Sequence, residues 1–343
     1  MDAGKPVDSY IAPFERLLRT INPEDISTEL YCRKYLGHIL QHRSYYLAIY
    51  AHLLKKLLHH SALPKDEIIL VDFGAGNGLL GLFAKYCGIK NVFMNDIDPA
   101  FVHSAEKLSS ILSISLDGYI TGDIDAVRDY FQGKKFNAIA GTDVIEHIYD
   151  LGYFFTTLRK INPTVVSAFS TASNPGNYFK VRQLRKLQLK DEYAGGAPDD
   201  FLLFGNEAHE PFILTRENII RSKAADLQEA EIKQLAKATR GMVKADILSA
   251  VESYRVNKVF PEMLSDPTNT CNPVTGSWTE RILSIEAYRS LYRQNGFSLN
   301  VYNGFYDQYK KGLKGLINNI LNKTIPILGK YLAPYIVLTG SKK

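Results

Sequence analysis

Glycines and a carboxylate share one short segment, VDFGAGNG at residues 71–78. The glycines stand at every second position, Gly74, Gly76 and Gly78, shortly after Asp72 and an apolar run. Glycines at the corner between a strand and a helix let the chain turn sharply and let a ligand lie against bare backbone N–H groups. The segment therefore predicts a buried strand, a loop that binds a nucleotide-like cofactor, and a helix that begins at Gly78.

Two spacings within this loop indicate different cofactors. Gly76, Gly78 and Gly81 fit the G-x-G-x-x-G fingerprint of dinucleotide-binding proteins, with Asp96 20 residues after Gly76. Counting from Gly74 gives the G-x-G-x-G loop familiar from S-adenosylmethionine-dependent methyltransferases. The second spacing is favoured because Gly74 closes the strand directly, and because a carboxylate at the strand end suits a methionine amino group better than a pyrophosphate.

Further acids follow the next apolar segments. Asp96 ends NVFMND, where it is placed to accept both hydroxyls of a ribose, and Asp123 follows GYITG, where it could accept the amino group of an adenine. Asp143 follows a fourth apolar segment, FNAIAGT. We expect a cofactor to be bound by the loop and these neighbours: Asp72, Gly74, Gly76, Gly78, Asp96, Asp123, Ile124 and Asp143.

The order of these segments resembles the class I methyltransferase fold over residues 68–170. DVIEHI, which begins at Asp143, looks like the branch that contains the ubiquinone-pathway O-methyltransferases and many sugar and small-molecule methyltransferases. The segments at 277–302 and 334–342 are similar to the last helix and strands of that fold. The resemblance implies an α/β fold with a doubly wound, mostly parallel seven-stranded sheet, and S-adenosyl-L-methionine as cofactor. Asn137 stands where that family usually carries Asp, a departure at the strand edge.

Composition excludes several other classes. The 343 residues are 45% hydrophobic and 22% charged, as in ordinary globular proteins. The net charge of +5 is small and dispersed, so we expect no nucleic-acid partner. Cys32, Cys87 and Cys271 lack the spacing of a metal site, so no metal is expected. A polar N-terminal segment and the lack of a long apolar run predict a cytoplasmic protein.

Four parts are predicted along the chain. N-terminal helices occupy 1–65, a cofactor-binding part 66–175, a mostly helical cap 176–276, and the C-terminal part of the same domain 277–343. The cap is predicted because strand–helix alternation stops near 175 while helical apolar spacing continues, and we expect it to lie over the reaction site. In the N-terminal helices, Arg43 and Tyr46 are candidates to cover the methionine end of the cofactor.

An insertion at 310–330 is predicted to be a basic amphipathic helix. Two interpretations stay open. Its apolar stripe packs on its own protein, or the helix makes peripheral contact with an anionic membrane surface. Pro326 is expected to kink or end the helix. The stripe consists of Leu313, Leu316, Ile317, Ile320, Leu321 and Leu328.

The expected reaction is methyl transfer from a sulfonium donor, which needs alignment and, for a hydroxyl acceptor, a base. His147 is the first candidate base and His209 the second; each could instead cap a helix or lie in a surface loop. Trp278 could line the acceptor site or anchor the cap. We expect O-methylation of a small molecule, sugar or lipid-linked metabolite. An NAD(P)-dependent oxidoreductase and a non-catalytic protein of this fold remain alternatives, and the oligomeric state is open.

Overall fold

The computed structural model describes residues 5–196 and 209–342, so residues 197–208 of the predicted cap lie outside the described part. The chain divides into two compact units. Unit 1 contains the residues up to Ile145, Asp150–Asn177 and the residues from Ser284 onward. Unit 2 contains Glu146–Tyr149 and the described residues of Tyr178–Leu283.

Unit 1 is built on one seven-stranded sheet with the order β3-β2-β1-β4-β5-β7-β6. Strands β1 to β5 pair in parallel, and β7 lies antiparallel between β5 and β6. The predicted doubly wound, mostly parallel seven-stranded α/β sheet is confirmed. The strands are β1 Ile69–Phe73, β2 Asn91–Asp96, β3 Gly118–Thr121, β4 Ala138–Thr142, β5 Val166–Thr171, β6 Phe297–Asn303 and β7 Ile336–Lys342.

The central strands are continuous apolar runs because both of their faces are covered. Asn137, the departure from the family pattern, lies just before β4 and forms hydrogen bonds at the start of β1. Its Oδ1 accepts the N–H of Ile69 at 2.8 Å, and its Nδ2 donates to the Glu67 carbonyl at 2.8 Å. An ionised Asp could only accept, so the amide satisfies both backbone groups where a carboxylate would leave one.

The predicted N-terminal helices include two long ones, Leu30–Gln41 and Arg43–Ser61, which are separated at His42. The helices are α1 Ile11–Leu18, α2 Leu30–Gln41, α3 Arg43–Ser61, α4 Leu79–Tyr86, α5 Pro99–Leu112, α6 Ile124–Tyr130, α7 Leu151–Ile161, α8 Tyr178–Tyr193, α9 Phe212–Lys223, α10 Glu229–Ala238, α11 Lys244–Asn257, α12 Ile285–Gln294 and α13 Gly312–Leu328. Helix α13 continues past Pro326, so it ends two residues later than the proline. No helix among the described residues has the length and apolarity needed to cross a membrane.

Helices α8 to α11 belong to unit 2, and the last three of them share a buried core. The helical spacing seen in the sequence places Ile232, Leu235, Ile247, Val251 and Tyr254 in this core, as expected for inward-facing positions. The unit therefore has an apolar interior of its own.

Two short segments outside the predicted cap also lie in unit 2. The N–H of Trp278 donates to the His147 carbonyl at 3.2 Å, and the N–H of Arg281 donates to the Glu146 carbonyl at 3.2 Å. These backbone bonds hold the residues that follow β4 against the 278–281 segment. Unit 2 consequently takes in 146–149 and continues to 283.

Helix α1 contacts the helix that follows the glycine loop through Phe14, whose ring centroid lies 5.4 Å from that of Phe83 in α4. Phe14→Ala should lower the free energy of unfolding by about 3–5 kcal/mol, because both rings are fully buried. Leu17→Ala, on the same helix but 37% exposed, should change it by less than about 0.5 kcal/mol. Urea unfolding followed by circular dichroism measures both, and equal losses would contradict the packing described.

Candidate cofactor site

The glycine loop turns from β1 into α4 through three residues with positive φ: Gly74 at 62°, Gly76 at 54° and Gly78 at 74°. Residues with a side chain rarely adopt these values. At Gly76 space is short as well, because an added Cβ would lie 2.8 Å from Cε1 of Tyr35. The backbone path of the loop therefore requires glycine.

Asp96, at the end of β2, holds this loop. Its Oδ2 accepts the Gly76 N–H at 2.8 Å and its Oδ1 accepts the Asp98 N–H at 3.0 Å. Burial raises the pKa of Asp96, while the two backbone bonds act in the opposite direction. Each carboxylate oxygen has a second lone pair, so Asp96 keeps acceptor capacity for the hydroxyls of a ribose.

Asp72, near the end of β1, contacts the first turn of α4. Its Oδ2 accepts the Gly81 N–H at 2.7 Å, and the side chain is fully buried. Burial raises the pKa of Asp72 to about 7, which the Gly81 bond partly opposes. An added Cβ at Gly81 would lie 3.1 Å from Asp72 Oδ2, so this glycine serves helix–strand packing.

Asp123 is exposed at the end of β3, where it caps α6. Its Oδ1 accepts the N–H of Asp125 at 2.9 Å. The turn before it is held by Asn95, whose Nδ2 donates to the Gly122 carbonyl at 2.8 Å. Ile124 is buried, so its side chain packs inside the unit. Asp72, Asp96 and Asp123 thus lie at the carboxyl ends of three neighbouring strands.

Asp143, just after β4, adopts a left-handed conformation with φ of 50°. Its N–H donates to the Ser170 carbonyl at 2.9 Å, and its Oδ1 accepts the Ala172 N–H at 3.3 Å. Such strain in a residue with a side chain is concentrated at functional sites. After burial, the charge of Asp143 is the next cause that raises the pKa of Tyr46, which places this tyrosine of α3 near the same edge.

Sequence reasoning missed an aromatic cluster over the loop. The ring of Phe101 in α5 lies 5.3 Å from that of Tyr31 and 5.5 Å from that of Tyr35, both in α2. Burial raises the pKa of Tyr31 to about 12, and the charge of Asp96 adds to the shift. The available signal was the spacing of the two tyrosines, one helical turn apart. By contrast, Arg43 donates to the Leu40 carbonyl at 3.0 Å, beside Glu15 of α1.

His147 lies in unit 2 with a defined tautomer. Its Nδ1 is 2.7 Å from the Trp278 carbonyl oxygen, which can only accept, so Nδ1 carries the proton. Its Nε2 is then the basic atom, 3.9 Å from Oε1 of Glu280. Trp278 itself donates from Nε1 to the Tyr149 carbonyl at 3.1 Å and is buried within unit 2.

Glu146, His147 and Glu280 offer three ligand atoms within 4.8 Å of one another, a set that could hold a metal ion. The described contacts of His209 are with other residues. Its Nε2 lies 3.8 Å from Oδ1 of Asp191, and its ring stacks on Phe212 with centroids 4.9 Å apart. The described contacts therefore give the two histidines separate surroundings.

The buried Asp72 makes stability depend on pH. Its folded pKa is raised above the unfolded value, so ionisation above pH 4 favours the unfolded chain, and stability falls until about pH 7. Asp72→Asn keeps an acceptor for Gly81 and cannot ionise. Its stability relative to the wild type should therefore grow between pH 4 and 7, by on the order of a few kcal/mol at about 1.4 kcal/mol per pKa unit.

Urea unfolding of both proteins at pH 5 and pH 8 measures this difference. Asp66→Asn is the matched control, because Asp66 is exposed and solvated in both states. A pH-independent difference between Asp72→Asn and the wild type would contradict the burial of a titrating carboxyl group at this position.

Comparison with known sequences finds relatives for part of the chain. A ubiquinone biosynthesis O-methyltransferase from Bartonella tribocorum is 30% identical over 106 residues, 29% of this chain and 39% of that protein. A ribosomal protein L11 methyltransferase from Cyanothece sp. is 31% identical over 81 residues, 23% of this chain and 28% of that protein. The chain thus spans less than half the length of these curated relatives. No family model matches it.

Among solved structures, a SAM-dependent methyltransferase from Archaeoglobus fulgidus has a TM-score of 0.40 and 10% identity, covering 90% of this chain and 99% of that chain. A magnesium protoporphyrin IX methyltransferase from Synechocystis, bound to SAH, has a TM-score of 0.40 and 13% identity, covering 98% and 97%. The strand order itself, with β7 antiparallel between β5 and β6, decides the fold. The chain has the class I methyltransferase fold.

Proposed function

We propose that unit 1 binds S-adenosyl-L-methionine and that the protein transfers its methyl group. The single observation that carries the proposal is the bond from the Gly76 N–H to Asp96, which joins a three-glycine loop to an acid at the end of the next strand. In open α/β sheets, ligands bind outside the carboxyl ends of the strands, near the point where the strand order reverses. Strand β1, which pairs with both β2 and β4, lies at that point.

Each neighbour has a task that its chemistry suits. The loop backbone would lie against the methionine part, Asp96 would accept the ribose hydroxyls, and Asp123 would accept the adenine amino group. Asp72 would fix the loop from beneath through Gly81. Asp143, with Tyr46 nearby, would stand beside the methionine end. The bound cofactor supplies an activated methyl group on a cationic sulfur, so the protein's main contribution is alignment.

We further propose that the acceptor is a hydroxyl of a small molecule, sugar or lipid-linked metabolite. The DVIEHI segment supports this, as does the likeness to a ubiquinone biosynthesis O-methyltransferase. A hydroxyl acceptor must lose its proton, and His147 is the candidate to take it. Its Nδ1–H is held by Trp278, and Glu280 lies where it stabilises the protonated ring. The predicted four-part domain division, with 176–276 as the cap, belongs to the same proposal.

The strand order argues against the dinucleotide alternative, because dinucleotide-binding sheets have the order 3-2-1-4-5-6 without an inserted antiparallel strand. A non-catalytic role is separated from an enzymatic one by whether the bound cofactor is consumed.

Isothermal titration with S-adenosylhomocysteine tests the cofactor proposal. The wild type should bind, and Asp96→Ala should bind about 10- to 100-fold more weakly, because hydrogen bonds to a charged group contribute about 1.5–3 kcal/mol. Asp96→Asn keeps an oxygen for the Gly76 N–H and removes the charge, so it should lie between the two. Glu106→Gln, an exposed glutamate on α5, is the control and should bind like the wild type.

Binding of NADH in place of S-adenosylhomocysteine would overturn the assignment. An unchanged affinity in Asp96→Ala would remove the role given to this acid, even if the wild type binds.

His147→Asn tests the base, because an Asn amide can donate to the Trp278 carbonyl as Nδ1 does but has no basic nitrogen. Transfer of a labelled methyl group into small-molecule fractions of a cell extract should fall about 10²- to 10⁴-fold. Affinity for S-adenosylhomocysteine should stay the same. His209→Asn is the matched variant: a larger loss there than in His147→Asn would transfer the role to His209.

A further inference from the structure

Helix α13 packs on unit 1 by its polar side. The Nδ2 of Asn318 donates to the Asp307 carbonyl at 2.8 Å. Asn322 accepts the Tyr306 N–H at 2.6 Å and donates to the Tyr306 carbonyl at 2.9 Å. Gly315 and Ile325 are the buried residues of the helix and lie at helical spacing from the two asparagines. The inward face is therefore defined by hydrogen bonds to the 306–307 backbone.

The apolar side of α13 faces outward as a consequence. Six of its large apolar side chains are between 46% and 84% exposed, which is the opposite of a helix that packs by its stripe. The interpretation that the stripe packs on its own protein is wrong. We call these residues the outer stripe: Leu313, Leu316, Ile317, Ile320, Ile327 and Leu328.

Charge around the outer stripe has one sign. Residues 308–335 contain five lysines and no acidic residue: Lys310, Lys311, Lys314, Lys323 and Lys330. Exposed tyrosines, Tyr309 and Tyr331, stand beyond the two ends of the helix. Aromatic residues of this kind favour the boundary between hydrocarbon and water.

We propose that α13 docks on an anionic membrane surface, with the outer stripe among the lipid chains near the headgroups and the lysines on acidic headgroups. Exposed apolar side chains gain from leaving water, and lysines near an acidic lipid surface add to the attraction. A second copy of this chain is disfavoured as partner, because it would bring the same five lysines against the first set. The proposal does not depend on methyl transfer.

Co-sedimentation of the full chain with vesicles tests it. Vesicles of phosphatidylcholine and phosphatidylglycerol should bind the protein, vesicles of phosphatidylcholine alone should bind it far more weakly, and salt should reduce the binding. Leu316→Ser with Ile320→Ser should weaken binding at least tenfold. Val256→Ser, at an 88% exposed residue of unit 2, should leave it unchanged.

The charge is tested separately. Replacing Lys310, Lys311 and Lys314 by Gln should weaken binding about fivefold for each lysine, or roughly a hundredfold together. Replacing the exposed Lys107, Lys134 and Lys135 by Gln, an equal loss of charge elsewhere in unit 1, should have little effect. Circular dichroism of each variant checks that it is folded.

Three results would overturn the proposal: no binding to acidic vesicles, equal binding to both kinds of vesicle, or equal loss in the stripe and control variants. Sedimentation velocity without vesicles tests the alternative that the outer stripe binds a second copy of the chain. A dimer that the Leu316→Ser and Ile320→Ser changes dissociate would assign the stripe to a second copy of the chain.

Discussion

Two buried carboxylates fix the glycine loop by its backbone, and the candidate site depends on this constraint. Asp96 accepts the Gly76 N–H in the loop, and Asp72 accepts the Gly81 N–H in the first turn of α4. Burial raises the pKa of both acids, and the backbone bonds oppose this shift in part. A positive charge brought close to these acids would lower both pKa values, because an opposite charge favours the ionised form.

Sequence patterns predicted the sheet well because each strand is a local apolar run followed by its own turn signal. The same holds for the loop, whose three glycines are all needed at positive φ. The direction of the Asp72 side chain was not predictable, because it depends on how closely α4 approaches β1 at Gly81. The tyrosines of α2 were missed for a related reason: their contact with Phe101 joins residues far apart in the chain.

Helix α13 has the opposite orientation to the one that its apolar pattern ordinarily predicts. An apolar stripe is ordinarily assigned to the interior, but Asn318 and Asn322 satisfy backbone groups of residues 306–307 that would otherwise lack partners. Turning the stripe inward would break these bonds and would move Gly315 away from the Lys310 carbonyl, against which it packs. Hydrogen bonding of the neighbouring backbone thus decides the orientation of the helix.

Trp278 is the chain's single tryptophan, and it belongs to unit 2. Its indole lies beneath the guanidinium of Arg281, 4.1 Å from the ring, and next to Tyr149. Unit 1 has tyrosine fluorescence alone. Excitation selective for indole consequently reports the environment of unit 2 without contribution from the sheet. The native chain thus carries an optical label on one unit, by which the melting of the two can be followed separately.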